Sequence, residues 1–423
     1  MFYSKQASEK TILGLNDIND LLYKALYSLG PQKKVLAIPP DKTRFHSRAG
    51  KITQMIHKFY GDNLTDILPA LGTHTPMTKP DIRSMFGDIP FDLFRVHDWR
   101  NDVITLGTLP KEFLNDISDG RVNFPWETQV NRLLRDGGHN LIISIGQVVP
   151  HEVAGMANFN KNIFIGTGGA EGINKSHFLG AVCDMETIMG RADNPVRALL
   201  NEADRSFSHL LPKILYILTV IGNDDQGNQG VIGLFIGDDK VCFYEAAVLS
   251  MKKNFTLLDK PLKKAVVYLD PSEFESTWLG NKAIYRTRMA MANNSELIIL
   301  APGVNTFGED PEIDRLIRKY GYRGTKQTLD MVKKNKDLNN NLSAAAHLIH
   351  GSSENRFKIT YCPGGLSREE IEKANFEFAD LKNMLKKYPP EKLQMGINEI
   401  NGEQIFYIPN PALGLWSEKK RFK

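Results

Sequence analysis

Short apolar runs, each closed by a loop rich in glycine, proline, aspartate or histidine, recur through the N-terminal half of the chain. The first, KKVLAIPP (residues 33–40), reads as a buried strand stopped by two prolines. Its loop leads into a helix in which Ile52, Met55, Ile56 and Tyr60 share one face. LTDILPALGTH then predicts a strand ending in a glycine turn, with a helix over MTKPDIRSMFG. A strand in FDLFRVHDW, a helix near Glu127 to Arg135 and a strand in HNLIISIGQVVPH continue the alternation. Strand, loop and helix in repetition predict a largely parallel sheet covered by helices, because parallel neighbours need a crossover. Ligands of such sheets bind beyond the carboxyl ends of the strands. DKTR (Asp41 to Arg44), GTHTP (Gly72 to Pro76), VHDW (Val96 to Trp99) and the run from Pro150 to His177 all follow strand-like segments.

At 423 residues the chain exceeds one ordinary core, so two domains are expected. The pattern breaks at KKNFTLLDKPLKK, which predicts an N-terminal α/β domain over 1–255 and a C-terminal α/β domain over 264–423. The last residues are free to return to the first domain. KILYILTVIGNDDQG and GVIGLFIGDDK form a hairpin in the first domain, their turns rich in Asp, Asn and Gly. The second domain opens on a fresh β-α-β unit: KAVVYLDP, a helix near Gly280 to Ala292, and SELIILAPG. FKITYCPGG and a charged helix, SREEIEKANFEFADLKNMLKKY, follow. The expected fold is thus two α/β domains with largely parallel sheets and the active site in the cleft between them.

Composition excludes several classes. An apolar fraction of 42% and a charged fraction of 24% describe an ordinary soluble protein. A net charge of +4 gives no reason to expect nucleic acid and suits a small anionic ligand. Three cysteines without a CxxC pair fit a reducing compartment. MFYSKQASEK has no signal pattern, and no apolar run is long enough to span a bilayer, so a cytoplasmic protein without a membrane partner is expected.

The loops carry the reactive side chains. Asp41 and Arg44, three apart past a strand, can orient a histidine and clamp a carboxylate; the plainer reading is a helix cap and a surface arginine. His74, between glycine and proline, can serve as a base near neutral pH or be a turn residue with no role. His97, beside an acid and a tryptophan, reads as structural or as a ligand. His151, Lys161 and His177 lack the short intervals of a zinc finger or of HExxH. A lysine there can be a nucleophile or covalent tether, or simply a solvated cation. GTGGAEG is a tight turn whose N–H groups could hold a phosphate, not a dinucleotide fingerprint.

Together these motifs resemble the lactate racemase family, whose members use a nickel-pincer nucleotide. DxTR, GxHxP and a PHxxAG loop with a lysine ten residues after its histidine occur here in family order. A histidine sixteen residues beyond that lysine completes the set, and NPVRALLNEAD is similar as well. The resemblance implies a nickel-bearing cofactor, pyridinium-3-thioamide-5-thiocarboxylic acid mononucleotide, joined covalently at Lys161, with His177 as nickel ligand. It further implies His74 and His151 as the acid/base pair, Asp41 in support of the cofactor site, and Arg44 on the substrate carboxylate. Maturation would then need cofactor biosynthesis proteins as partners.

The chemistry has a physical reason. The C2 hydrogen of a 2-hydroxy acid is not acidic, but it can leave as hydride while a base takes the hydroxyl proton. Return of hydride to the other face of the 2-oxo acid inverts the centre.

Two departures from the family pattern stand out. Before Lys161 the family has a serine, two glycines and an arginine, where this chain has Ala157, Asn158, Phe159 and Asn160. In the second domain the family's tyrosine–glutamine pair and lysine become Tyr285, Arg286 and Met289, with Arg288 nearby. Tyr285 and Arg286 are therefore the expected substrate contacts there. A changed wall points to a longer, hydroxylated acid, such as a gluconate-like aldonate epimerised at C2. The rivals are lactate racemase proper, a metal hydrolase with His74, His97, His151 and His177 as ligands, and a non-catalytic binding protein.

Overall fold

The computed structural model describes residues 1–412 and 414–422. The chain divides into two compact units: Met1–Ser176 with Gly190–Asn254, and His177–Met189 with Phe255–Lys423. The change of unit at 254/255 falls beside the sequence break expected there. The short exchange at 177–189 has no compositional sign.

The first unit is built on a six-stranded sheet. Its strands are β1 (Phe2–Gln6), β2 (Val35–Ile38), β3 (Leu64–Ile67), β4 (Leu141–Gln147), β5 (Lys213–Asn223) and β6 (Gln229–Gly237), in the spatial order β1-β6-β5-β4-β2-β3. β3, β2, β4 and β5 run parallel, whereas β6 and β1 add an antiparallel edge. β2 and β4 are buried along their whole length, as the continuous apolar runs VLAI and LIISIGQ require of strands covered on both faces. The expected 213–237 hairpin is present, turned by Asp224, which accepts from the backbone N–H groups of Gln226 and Asn228.

Two sequence expectations give way here. FDLFRVHDW is not a strand: Pro90 starts a 3₁₀ turn over Phe91–Leu93, and only Phe94 bridges to Ile67. The region near Glu127 is a strand, Trp126–Asn131, paired antiparallel with Val103–Leu109, and the helix after it covers only Arg132–Asp136.

The second unit holds another six-stranded sheet: β7 (Leu262–Tyr268), β8 (Met291–Ala301), β9 (Phe357–Pro363), β10 (Glu377–Phe378), β11 (Gly396–Ile400) and β12 (Glu403–Ile408), in the order β10-β9-β8-β7-β12-β11. All neighbours are parallel except β11 and β12. Val266, Ile298, Leu300, Cys362, Tyr388, Ile405 and Tyr407 form one core cluster against it. The expected helix near Gly280 to Ala292 shrinks to two single turns, Thr277–Gly280 and Lys282–Tyr285. The charged C-terminal helix is two pieces, Arg368–Lys373 and Leu381–Lys387, parted at Asn375, whose φ of +70° no helix tolerates. Cys183, Cys242 and Cys362 are buried and unpaired by disulfides. Among the described residues no helix is long and apolar enough to cross a membrane.

Candidate active site

Three adjacent parallel strands of the first unit deliver three of the motif loops. β2 leads through Pro39 and Pro40 to Asp41, β3 into the loop carrying His74, and β4 into a tight turn carrying His151. The loops are tied together by backbone bonds. The Ala70 N–H donates to Pro39 O and the Gly72 N–H to Gly166 O, each at 2.8 Å.

Asp41 caps the 3₁₀ turn Lys42–Ser47, its Oδ1 accepting from the N–H (3.1 Å) and hydroxyl (2.5 Å) of Thr43. Its other oxygen lies 2.5 Å from His74 Nδ1. Burial alone would raise the Asp41 carboxyl. The charge and hydrogen bond of His74, then Thr43 and Arg44, outweigh it and hold the group at about 2, down from 3.8. An ionised carboxylate only accepts, so His74 Nδ1 carries a hydrogen, and in the neutral ring the lone pair is on Nε2. The dyad also has a stability signature. Because the folded value lies below the unfolded one, its stabilisation is present above about pH 4 and is lost as pH falls towards 2. The expected size is about 2 kcal/mol. Acid unfolding followed by circular dichroism should be less steep in that window for Asp41→Asn than for the parent chain.

Lys161 begins the other half of the site. It precedes a five-residue π-helix, Asn162–Gly166, buried throughout, and such widened turns concentrate at functional sites. Burial first, then the positive charges of Arg44 and Arg197, push the Lys161 ammonium down from 10.5 to about 8, against the pull of Glu152 and Asp41. Four charged groups therefore share the Lys161 neighbourhood: Arg44, Glu152 beside His151, Arg197, and Asp41, the partner of His74. Among the described residues the Arg44 guanidinium makes no hydrogen bond, which leaves its fork for a carboxylate.

The loop before Lys161 keeps a glycine-like course without glycine. Asn158 and Phe159 have φ of +68° and +61°, a conformation costing about 1–2 kcal/mol per residue. Three contacts offset this. Asn158 Oδ1 accepts from the Phe159 N–H at 2.7 Å. The Phe159 ring meets Tyr216 (4.3 Å) and stacks on Phe243 (5.4 Å). Gly146 of β4 leaves room for the Asn158 amide, since a Cβ there would lie 1.9 Å from its nitrogen.

Arg197 fixes the same loop from a distance. It sits on the helix Pro195–Phe207, whose cap Asn194 also reaches Ala154 O at 3.1 Å. The fully buried guanidinium donates to Met156 O and Asn160 Oδ1, both at 2.6 Å, and lies 4.2 Å from the Phe243 ring. Gln147 ends β4, 3% exposed, and neither atom of its amide meets a partner among the described residues. Sequence reading singled out neither residue. For Arg197 the only sign was its place in the NPVRALLNEAD segment, and for Gln147 its place one turn before the PH pair.

The remaining candidates lie elsewhere. Both nitrogens of His97 are used: Nε2 bonds Gly168 O at 3.0 Å, and Nδ1 faces the Asn131 amide nitrogen at 3.2 Å. Burial lowers its pKa, and the ring ties the GTGG turn to the 126–131 strand. His177 lies on the helix Ala170–Val182, within the segment that groups with the second unit. There Tyr285 packs with Met185, Met189, Met289 and Leu415, and Arg286 is buried with Nη1 donating to Gly414 O at 3.0 Å. Arg288 joins Arg356 and Arg421 around Glu186, at 3.3, 2.7 and 3.3 Å, beside a cavity of about 350 Å³.

Residues 22–190 match the family model described as the lactate racemase N-terminal domain. No curated protein matches the chain. Among solved structures, a crystal structure of a protein from Thermotoga maritima is similar at 23% identity, over 98% of this chain and 100% of that one, with a TM-score of 0.84. The lactate racemase apoprotein from Thermoanaerobacterium thermosaccharolyticum is similar at 18% identity, over 95% and 93%, with a TM-score of 0.70. At these identities the two structures speak to fold. The motif loops at the ends of β2, β3 and β4 fall inside the matched stretch, so residues 22–190 are those of a lactate racemase N-terminal domain by similarity, and the two solved structures share the fold of the chain as a whole.

Proposed function

We propose that the protein is a racemase or epimerase inverting C2 of a 2-hydroxy acid, with hydride passed reversibly to a nickel-pincer nucleotide. The observation that carries this reading is the gathering of the Asp41–His74 dyad, Arg44 and Glu152 about a lysine held at about 8.

The residues present fit the cofactor. At neutral pH about a tenth of an amine titrating near 8 is neutral, against fewer than one in about a thousand for an ordinary lysine. Lys161 can therefore react as an amine, and the left-handed pair Asn158–Phe159 preserves a glycine-type loop although the glycines are gone. Lys161 would hold the group covalently, Asp41 would support it, and His177 would supply a nickel ligand. When bound, the group supplies the hydride acceptor. Arg44 would bind the substrate carboxylate in a two-pronged clamp. His74 Nε2 would take the hydroxyl proton, and the resulting imidazolium would be steadied by the Asp41 carboxylate. The substrate class is a longer polyhydroxy acid, gluconate-like, because Arg286 and Met289 stand where a lactate-type wall has glutamine and lysine. The protein would work in the cytoplasm and receive its cofactor from the proteins that build it.

The hydrolase reading fares worse on geometry, since neither nitrogen of His97 is open to a metal.

The test is the denatured intact mass of protein from a host that makes the pincer nucleotide, beside Lys161→Ala, with nickel assayed on native samples. The expected result is an adduct of cofactor mass in the parent chain and none in the variant. Loaded protein should then interconvert gluconate-like epimers faster than D- and L-lactate. A parent chain with neither adduct nor nickel would overturn the assignment.

A further inference from the structure

The segment His177–Met189 groups with the second unit, although the chain on either side of it belongs to the first. The helix Ala170–Val182 therefore changes unit between Ser176 and His177. Two apolar contacts hold the segment to the second unit. Ala181 packs with Ala346 and Ile349, and Met185 and Met189 pack with Tyr285, Met289 and Leu415. Methionine side chains are flexible and adapt to what they meet, so such contacts keep a segment close without fixing its register. The directional contact is Glu186. Its Oε1 accepts from Arg288 Nε at 3.3 Å and from Arg356 Nη2 at 2.7 Å, and its Oε2 from Arg421 Nη1 at 3.3 Å. The three arginines come from three places: ahead of β8, ahead of β9, and the C-terminal tail. Arg356 also donates to the carbonyls of Arg288 (2.7 Å) and Met291 (3.4 Å), which ties the partners to one another. Asp184, with a φ of +68°, caps the turn Met185–Ile188 that presents the carboxylate, its Oδ1 accepting from the Glu186 N–H at 2.9 Å.

We propose that Glu186 is a positioning residue: held by the three arginines, it sets the register of the 177–189 segment and with it the place of the His177 imidazole, on which nickel retention depends. This rests on the racemase reading above, in which His177 is a nickel ligand. The turn bearing Glu186 is hydrogen-bonded to the helix bearing His177. The Thr187 hydroxyl donates to Cys183 O at 2.8 Å, and the Cys183 N–H donates to Leu179 O at 3.1 Å. A shift of the turn is thus carried to the imidazole. An ion pair drawn out of water adds little net stability, because desolvation offsets the attraction, and its effect is on geometry. Metal ligands feel that geometry: groups that orient a ligand without touching the metal are worth about 10–100-fold in affinity. Without the carboxylate the three guanidinium groups would repel one another, and the segment would rest on its apolar contacts alone.

The test is the rate of nickel loss to a chelator from cofactor-loaded parent protein, Glu186→Gln and Met185→Ala, with intact mass and thermal unfolding measured on each. Glutamine keeps the shape of the side chain and removes its charge, whereas Met185→Ala loosens the apolar side of the same turn. Glu186→Gln should lose nickel about 10–100-fold faster than the parent chain, with the Lys161 adduct intact. Met185→Ala should unfold at a lower temperature and keep its nickel near the parent rate. Nickel loss from Glu186→Gln at the parent rate would overturn the proposal. So would loss rates that follow the fall in unfolding temperature in both variants, since the carboxylate would then act only as part of the fold. Arg421→Gln removes one partner, on the C-terminal tail, and decides the matter if Glu186→Gln does not fold. It should speed nickel loss by a smaller factor, and an unchanged rate would overturn the proposal as well. A parent chain with neither adduct nor nickel is a separate failure: it would sink the racemase reading, and the role of His177 as ligand with it.

Discussion

His74→Ala is expected, on the proposed racemase function, to lower turnover of a 2-hydroxy acid by about 10³-fold, with KM changed little, because the group would act on a proton that moves only in the reacting complex. Arg44 and the cofactor tether are untouched by the change, so substrate and adduct should still bind. Asp41→Asn should come close to the same loss although the histidine remains. An asparagine presents either an oxygen or an N–H to His74 Nδ1, and the N–H would drive the ring proton to Nε2, where the lone pair is needed. Even in the right orientation, a neutral amide cannot steady the imidazolium as a carboxylate held at about 2 does. Steady-state rates on cofactor-loaded protein check both variants, with intact mass and nickel content confirming equal loading. A His74→Ala protein turning over within tenfold of its parent would remove the dyad from the chemistry.

The parts of this architecture that were legible in the sequence are those where burial on both faces imposes a continuous apolar run. LIISIGQ and VLAI could only be interior strands, and the polar loops after them could only lie at the carboxyl edge of a parallel sheet. Asp41, His74 and Lys161 were singled out because their loops follow such runs. WETQVN failed for the opposite reason. It alternates buried and half-buried residues as a one-sided strand should, but RLLRD follows directly, and a window spanning both reads as helical. FDLFRVHDW has strand composition, yet Pro90 fixes a tight turn at its start, and local geometry outweighs propensity. The π-helix after Lys161 has no period a sequence scan detects. Nor does periodicity disclose that Phe159 would accept a left-handed backbone, since the strain is offset by Tyr216 and Phe243, far away in the chain. The N–H that meets His151 Nδ1 comes from Val153, two residues on, and any residue but proline would provide it. Such effects belong to the backbone and leave no mark in side-chain identity.

Arg197→Met should be the most destabilising single change in the first unit that leaves every reacting group in place. Methionine nearly matches the length of the arginine stem but offers no donors. Met156 O and Asn160 Oδ1 would each lose a 2.6 Å hydrogen bond inside the protein, where water does not replace it. Two stranded acceptors, with the lost stacking on Phe243, predict a cost of about 3 kcal/mol. Thermal unfolding of the first unit should fall by roughly 6–12 °C. Set against this is the desolvation of a buried cation, which pushes the Arg197 pKa down to about 10 and weakens its net contribution. Arg197→Lys separates the two terms. It restores the charge but not the fork, so it should recover less than half of the loss. The damage should also reach Lys161, because the positive charge of Arg197 is one of the forces lowering its pKa. In the methionine variant the pH at which Lys161 becomes reactive towards a small amine-acylating reagent should move up from about 8. In the lysine variant, where the charge remains, it should stay close to the parent value. If Arg197→Met unfolded at the parent temperature with unchanged Lys161 reactivity, the loop would be holding its left-handed course without the arginine, and the packing of Phe159 alone would have to account for it.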